Sequence, residues 1–419
     1  FMRAVENNES FTLQFPVDSD KPTFTSTVDA KELWDRIVAS ATETAEPGLL
    51  MWGNIEKYLP AEAYADEGFK TICTNPCGEI PLSAYDSCRL ISVNLKNFVK
   101  DPFTENASFD FDHFSQVAAN AMRLSDDLVE LEIEKLDNII GACDTPDEVE
   151  LWEKLKTACV NGRRTGLGTH GLADALACLS LAYDSEEAIE IIDKIYETLK
   201  ISAYTESVRL SEERGAFEVF DWEKEKHNAF IQSLPPELQM LIAQHGRRNI
   251  SILTNAPTGS VSIMSQTSSG IEPVFRNSYT RRRKLSHNET DIKADFVDDL
   301  GDKWTEYEVF HHNVRAYLEA HNTTEVPDFF TESDAIDWEN RVRIQATIQK
   351  HIDHSISSTI NLPKGTDPDV VSRLYQLGWK LGLKGITVYV DGSRTGVLVT
   401  NTEEEKDSFP QNQAVKRPS

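Results

Sequence analysis

The stretch that most constrains this chain is residues 71–95, TICTNPCGEIPLSAYDSCRLISVNL. Asn75, Cys77 and Glu79 alternate, so an extended loop would send all three side chains to the same side. An amide, a thiol and a carboxylate would then converge on one small substrate. Cys88 follows eleven residues after Cys77, beyond an 81–86 segment that can turn the chain back. Four readings of these thiols stand side by side. Six cysteines in 419 residues are too few for a secreted disulfide scaffold. A zinc site wants a second ligand pair, and Cys73 with Cys77 has none at the required spacing. Buried free thiols are the plain reading, and redox or radical chemistry is the functional one.

Charge narrows the partners. The net charge of −27 opposes general binding to nucleic-acid phosphates and suits small ligands held in locally basic pockets. No run of about 18 apolar residues predicts a membrane span, and FMRAVENNESF lacks the layout of a signal peptide. Few cysteines and no targeting segment point to a reducing cytoplasm. A hydrophobic content of 40% supports a sizeable core. The start on Phe1 points to a processed, split or truncated chain.

Along the chain, Phe11, Leu13 and Phe15 alternate as a half-buried strand does. Asp29 precedes a helix carrying Leu33, Trp34, Ile37, Val38 and Ala41 on one face. Residues 49–52 form a short apolar strand. Helical patterning covers 111–143, and Thr145–Pro146 cap a second helix that ends at Asn161–Gly162. Residues 186–216 are helical and amphipathic, and 235–243 form another helix. His351 and His354 stand i, i+3 on a helix over 340–358, a spacing that can hold a metal. With no carboxylate-rich partner helix evident, they read as structural, and no metal site is assigned. Asp367–Pro368 cap a helix, and 385–394 read as a strand with an Asp-Gly hairpin turn. The polar segment 399–419 reads as a linker or tail, leaving 1–398 as the folded unit.

Two glycine-rich segments need separate treatment. Gly166, Gly168 and Gly171 satisfy the letter of the dinucleotide fingerprint GxGxxG. The residues before them read as helical, whereas the fingerprint needs a strand opening onto a helix, so close packing is the better account; His170 reads as structural. Residues 250–253 form a strand that runs into Asn255-Ala256-Pro257-Thr258-Gly259-Ser260. Ala256, Pro257, Thr258, Gly259 and Ser260 would expose consecutive backbone N–H groups, and a helix starting there would favour an anion. Arg281–Lys284, a dense basic run, reads as surface or subunit contact.

Taken together, Asn75-Pro76-Cys77-Gly78-Glu79, Ser87-Cys88-Arg89-Leu90 and Ser92-Val93-Asn94-Leu95 resemble the finger-loop region of ribonucleotide reductase catalytic subunits. The match is nearest to the adenosylcobalamin-dependent class. The 255–262 loop, its continuation QTSSGIEPVF over 266–275, and the single Tyr389 in GITVYVDGSR are similar to the same class in the same order. The resemblance implies the later part of a ten-stranded α/β barrel with a central finger loop. It implies ribonucleotides, diphosphates in preference, as substrates and adenosylcobalamin as cofactor. A deoxyadenosyl radical would take hydrogen from Cys77, and the Cys77 thiyl would abstract the substrate's 3′ hydrogen. Glu79 would act as general base at the 3′ hydroxyl, and Asn75 would hold the sugar hydroxyls. Cys88 would be one half of a redox pair, and the 256–260 loop would cradle the phosphates. Cys73, Cys143, Cys159 and Cys178 would be structural.

The same resemblance implies partners: the missing N-terminal half of the enzyme, an external dithiol reductant such as thioredoxin, and a second copy in a homodimer. Nucleic acid and membrane are not among them. Three other readings stay open. An iron-dependent reductase would place two adjacent tyrosines where Val388 and Val390 flank Tyr389. A glycyl-radical enzyme would need a C-terminal motif that Arg394-Thr395-Gly396 does not supply. A non-catalytic fragment that only assembles with a complementary chain would tolerate Cys77→Ser.

Overall fold

The computed structural model describes residues 1–17, 19–285, 293–297 and 302–393, with the backbone alone at Thr280, Arg281, Arg282 and Phe296. Its organising element is an open array of short strands: β1 (Leu49–Leu50), β2 (Leu90–Asn94), β3 (Gly166–His170), β4 (Thr359–Leu362) and β5 (Gly385–Val390). β2 and β3 pair in parallel, with Leu90 opposite Gly166 and Asn94 opposite His170. Leu167 of β3 bridges in parallel to Leu253, and Asn255 bridges in parallel to Ile356. Leu167 N donates to Ile252 O at 2.9 Å, and Ser357 N donates to Asn255 O at 2.9 Å. Residues 250–255 therefore stitch β3 to the chain entering β4. β4 pairs in parallel with β5, and β1 closes the row in the antiparallel sense.

The result is mixed α/β, and the described residues form no closed barrel. The parallel tracks fit the half-barrel that the sequence implies, and β2 has a strand partner on one side only among the described residues. Parallel strands need both faces covered, and the helices supply that cover. They are α1 (Ala30–Thr44), α2 (Phe111–Ile140), α3 (Pro146–Gly162), α4 (Leu172–Cys178), α5 (Glu186–Arg214), α6 (Gly259–Ser265), α7 (Trp338–Gln349) and α8 (Pro368–Lys380). One core joins Met122, Leu167, Tyr196, Ile252 and Ile348; a second joins Trp34, Val342, Tyr375 and Val388. Each such side chain contributes about 1.5–3 kcal/mol by leaving water. The predicted caps hold: Asp29 accepts from Glu32 N at 2.8 Å, and Thr145 with Glu148 forms a capping box.

The glycine motif carries a strand that its helical lead-in did not announce. A Cβ on Gly168 would lie 2.0 Å from Thr254 O, and one on Gly166 would lie 2.4 Å from Cys88 Sγ. These glycines let β3 approach its neighbours closely, while Gly171, with φ +72°, turns the chain into α4. The packing reading of the motif is the one the geometry supports.

Other expectations shift. Leu13 and Phe15 lie on the predicted strand, in the hairpin formed by Ser10–Phe15 and Phe24–Asp29, but are exposed, and only Phe11 at its start packs against the core, beside Phe1. The apolar run at 49–52 gives a two-residue strand and then a helix from Trp52. The helix predicted over 340–358 stops at Gln349, so His351 and His354 do not share a helical face. His351 Nε2 pairs with Asp193 at 2.9 Å, and His354 lies against Asp353 and Arg164. Gly392, with φ +78°, turns the chain after β5, and the returning arm of the expected hairpin lies outside the described residues. The segment 399–419 and Arg394 lie outside the described residues.

Gly168→Ala tests the close approach. It should cost about 2–3 kcal/mol by overpacking, read as a lowered urea midpoint with an unchanged slope, whereas Gly53→Ala, with open space at its Cβ position, should leave the midpoint close to wild type.

Candidate active site

The finger-loop residues form a hairpin rather than an extended loop. Cys73–Thr74 pairs antiparallel with Pro81–Leu82. Between them Gly78 N donates to Asn75 O at 3.0 Å, and the Asn75 side-chain Oδ1 accepts from Ile80 N at 3.0 Å. Asn75, Cys77 and Glu79 therefore sit around a tight turn rather than along one extended strand. Cys77 is exposed at the tip, and Glu79 is buried on the inner arm. They remain electrostatic neighbours. Partial burial, and then the Glu79 charge, push the Cys77 thiol above its ordinary value and hold it as S–H at neutral pH.

Glu79 is anchored by its backbone and left open at its side chain. Its carbonyl accepts from Thr254 Oγ1 at 2.9 Å and from Ser355 N at 2.9 Å. Its Oε2 is buried with no hydrogen-bond partner. Buried carboxylate oxygens are normally satisfied, so this atom is poised for a group that the protein does not itself provide.

Cys77 opens onto a cavity of about 1640 Å³ that Thr74, Pro257, Gly259, Ser268, Glu272 and Tyr389 also line. The volume exceeds the roughly 300–1,000 Å³ of an ordinary small-molecule site, leaving room for a substrate and a second large group. Glu272 is fixed in this wall: Oε1 accepts from Thr359 N at 3.0 Å, and Oε2 pairs with Arg341 at 2.9 Å. The 256–260 loop leads into α6. Thr258 adopts φ +53°, α6 begins at Gly259, and Thr258 Oγ1 accepts from Gly270 N at 2.8 Å. Pro257 and Gly259 face the cavity, whereas Ala256 and Ser260 flank them without lining it.

Cys88 lies apart from the cavity lining, half-buried against Gly166. All six cysteines are free thiols. Burial raises the Cys88 thiol well above its ordinary value, against the opposing charges of Arg164 and Arg89. Sequence reasoning missed the residues that hold this region. Arg164 bonds Asp86 at 2.6 Å, and Asp353 accepts from Ile252 N and Leu253 N, both at 2.7 Å. Only the repeated Arg163–Arg164 at a helix end signalled buried ion pairs. His311, also in the cavity wall, carried no signal.

Comparison with known proteins fits this geometry. Residues 1–389 match the family model described as ribonucleotide reductase, barrel domain. The chain belongs to the ribonucleotide reductase barrel family. It is 32% identical over 414 residues to a vitamin B12-dependent ribonucleoside-diphosphate reductase of Mycobacterium tuberculosis, covering 96% of this chain and 52% of that protein. It is also 32% identical over 390 residues to the protein of that name from Thermoplasma acidophilum, covering 90% and 45%. The chain thus spans about half the length of the curated relatives it matches. The fold is similar to the Actinobacillus ureae class Id ribonucleotide reductase alpha subunit, with a TM-score of 0.61 at 21% identity over 86% of this chain and 61% of that one.

Within this reductase-family barrel, the Cys77–Glu79 coupling is open to a direct test. Glu79→Gln should move the pH midpoint of Cys77 alkylation by iodoacetamide downward, because the neighbouring negative charge is gone. An unchanged midpoint would mean that burial alone sets the thiol.

Proposed function

We propose that this chain carries the radical-bearing half of an enzyme that reduces ribonucleoside diphosphates to 2′-deoxyribonucleotides with adenosylcobalamin. The observation that carries the reading is Cys77 in the cavity wall with the buried, unpartnered Glu79 Oε2 in its electrostatic reach. The names of the two relatives above support the substrate class and the cofactor. The cavity fits such a group by size and by its apolar lining of Leu50, Val274, Phe275 and Tyr279, which would hold it. Adenosylcobalamin, when bound, supplies the radical chemistry that removes the hydrogen from Cys77.

The chain's own residues do the rest. Cys77 Sγ holds a hydrogen that can be given up and returned, and its raised pKa keeps that hydrogen in place. Glu79 Oε2 accepts the proton of the substrate's 3′ hydroxyl. Asn75 Oδ1 is engaged with Ile80 N, so its Nδ2 is the atom left to donate to a sugar hydroxyl. The N–H groups at the start of α6, unpaired within the helix, meet the phosphates together with Pro257 and Gly259. Cys88 supplies one thiol of the redox pair.

The partner reading follows from the half-barrel. The free side of β2 and the half-length match to relatives support assembly with a segment carrying the other half and its cysteine. An external dithiol such as thioredoxin would recharge the pair. A cytoplasmic setting agrees with six free thiols; among the described residues no helix is long and apolar enough to cross a membrane.

The test is conversion of CDP to dCDP by the assembled enzyme with adenosylcobalamin and a dithiol. Cys77→Ser should abolish turnover, and Glu79→Gln should lower it by about 10²–10⁴-fold, with CDP affinity kept in both. Activity without cobalamin would favour an iron-dependent enzyme instead. Full activity in Cys77→Ser would leave this chain as an assembly module.

A further inference from the structure

Arg164 is fully buried and makes contacts that the proposed reaction does not use. Its Nε donates to Asp86 Oδ2 at 2.6 Å, and its Nη1 donates to Pro81 O at 3.3 Å. Nη1 also lies 3.1 Å from His354 Nε2, and His354 Nδ1 lies 2.9 Å from Leu253 O. A guanidinium can only donate, so in this hydrogen bond His354 Nε2 is the acceptor. One side chain thus grips both ends of the 81–86 turn, which joins the Cys77 hairpin to Cys88. Its Nη2 is buried with no hydrogen-bond partner. Buried guanidinium donors are normally satisfied, and this one is left for an acceptor that the resting state does not present.

Cys88 is the group whose chemistry creates such an acceptor. It follows Asp86 by two residues, and its Sγ rests against Gly166, two residues beyond Arg164. Arg89 is the other cation nearby, but it is already engaged by Glu132, by Arg164 O at 2.9 Å and by Cys159 Sγ at 2.9 Å. We propose that Arg164 is a positioning residue for Cys88: it clamps the 81–86 turn and offers its unpartnered Nη2–H to the Cys88 thiolate once the thiol proton has passed to solvent. The inference rests on the reading of Cys88 as a redox thiol. The charges bearing on it are Arg164 and Arg89, which favour the thiolate, and Asp86 and Glu79, which oppose it. Burial outweighs them and keeps the resting group a thiol, so the cation acts by easing a deprotonation that is otherwise suppressed.

The test is the pH profile of Cys88 alkylation by iodoacetamide in the full chain, read by peptide mass spectrometry with Cys77 as internal control. The midpoint reports the thiolate and the plateau reports access. Arg164→Met should move the midpoint upward and slow alkylation at pH 9 by about tenfold, with the Cys77 profile unmoved. Arg164→Lys, which restores the charge, should return the midpoint close to wild type. A faster reaction or a lower midpoint in Arg164→Met would show that the arginine merely packs the loop, and would overturn the proposal. Should Arg164→Met not fold, Arg164→Gln, which keeps hydrogen-bond donors without the charge, decides. A raised midpoint at an unchanged plateau supports the charge role, and an unchanged or lower midpoint or a raised plateau removes it. Neither measurement needs turnover. Full reductase activity in Cys88→Ser would therefore sink the redox reading of Cys88 while leaving the alkylation result standing.

Discussion

The contact on which the rest of this structure depends is the approach of β3 to residues 250–255. With Thr254 O where a Cβ of residue 168 would stand, only glycine permits the two tracks to hydrogen-bond at that depth. That approach places Thr254 Oγ1 on Glu79 O and brings Ser355 N to the same carbonyl. The inner arm of the finger hairpin is thereby tied to the centre of the strand array. A rigid array carrying a short hairpin is a better mount for a reactive thiol than a long free loop, because the tip inherits the order of the strands.

The candidate site sets an exposed thiol beside a buried carboxyl: Cys77 stands at the hairpin tip in the cavity wall, and Glu79 lies on the inner arm. Hydrogen bonds to the Glu79 backbone carbonyl secure its position and leave Oε2 without a partner. Beneath the site runs a line of buried charges: Lys384 donating to Asp353 O, Asp353 beside His354, and His354 against Arg164, which pairs with Asp86. Burial lowers the Lys384 pKa to about 7. Removing one partner of such a pair costs more than the pair itself contributes, so the line holds its members in fixed places.

The sequence by itself determined a good deal. Helix starts at Asp29, Thr145 and Asp367 were legible because a cap is a local hydrogen bond between near neighbours. The finger motif and the 255–275 stretch were legible as family signatures because they use few residue types at fixed spacing. What tertiary structure alone decided involves contacts between residues far apart in the chain. The glycine motif became a strand because Cys88 and Thr254 press on it. The helix before His351 ends at Gln349, and the two histidines are held separately by distant partners, His351 by Asp193 and His354 by Arg164 and Leu253 O. Arg164 acquired its place beside Cys88 through partners 78 and 190 residues away, a distance over which no local pattern carries information.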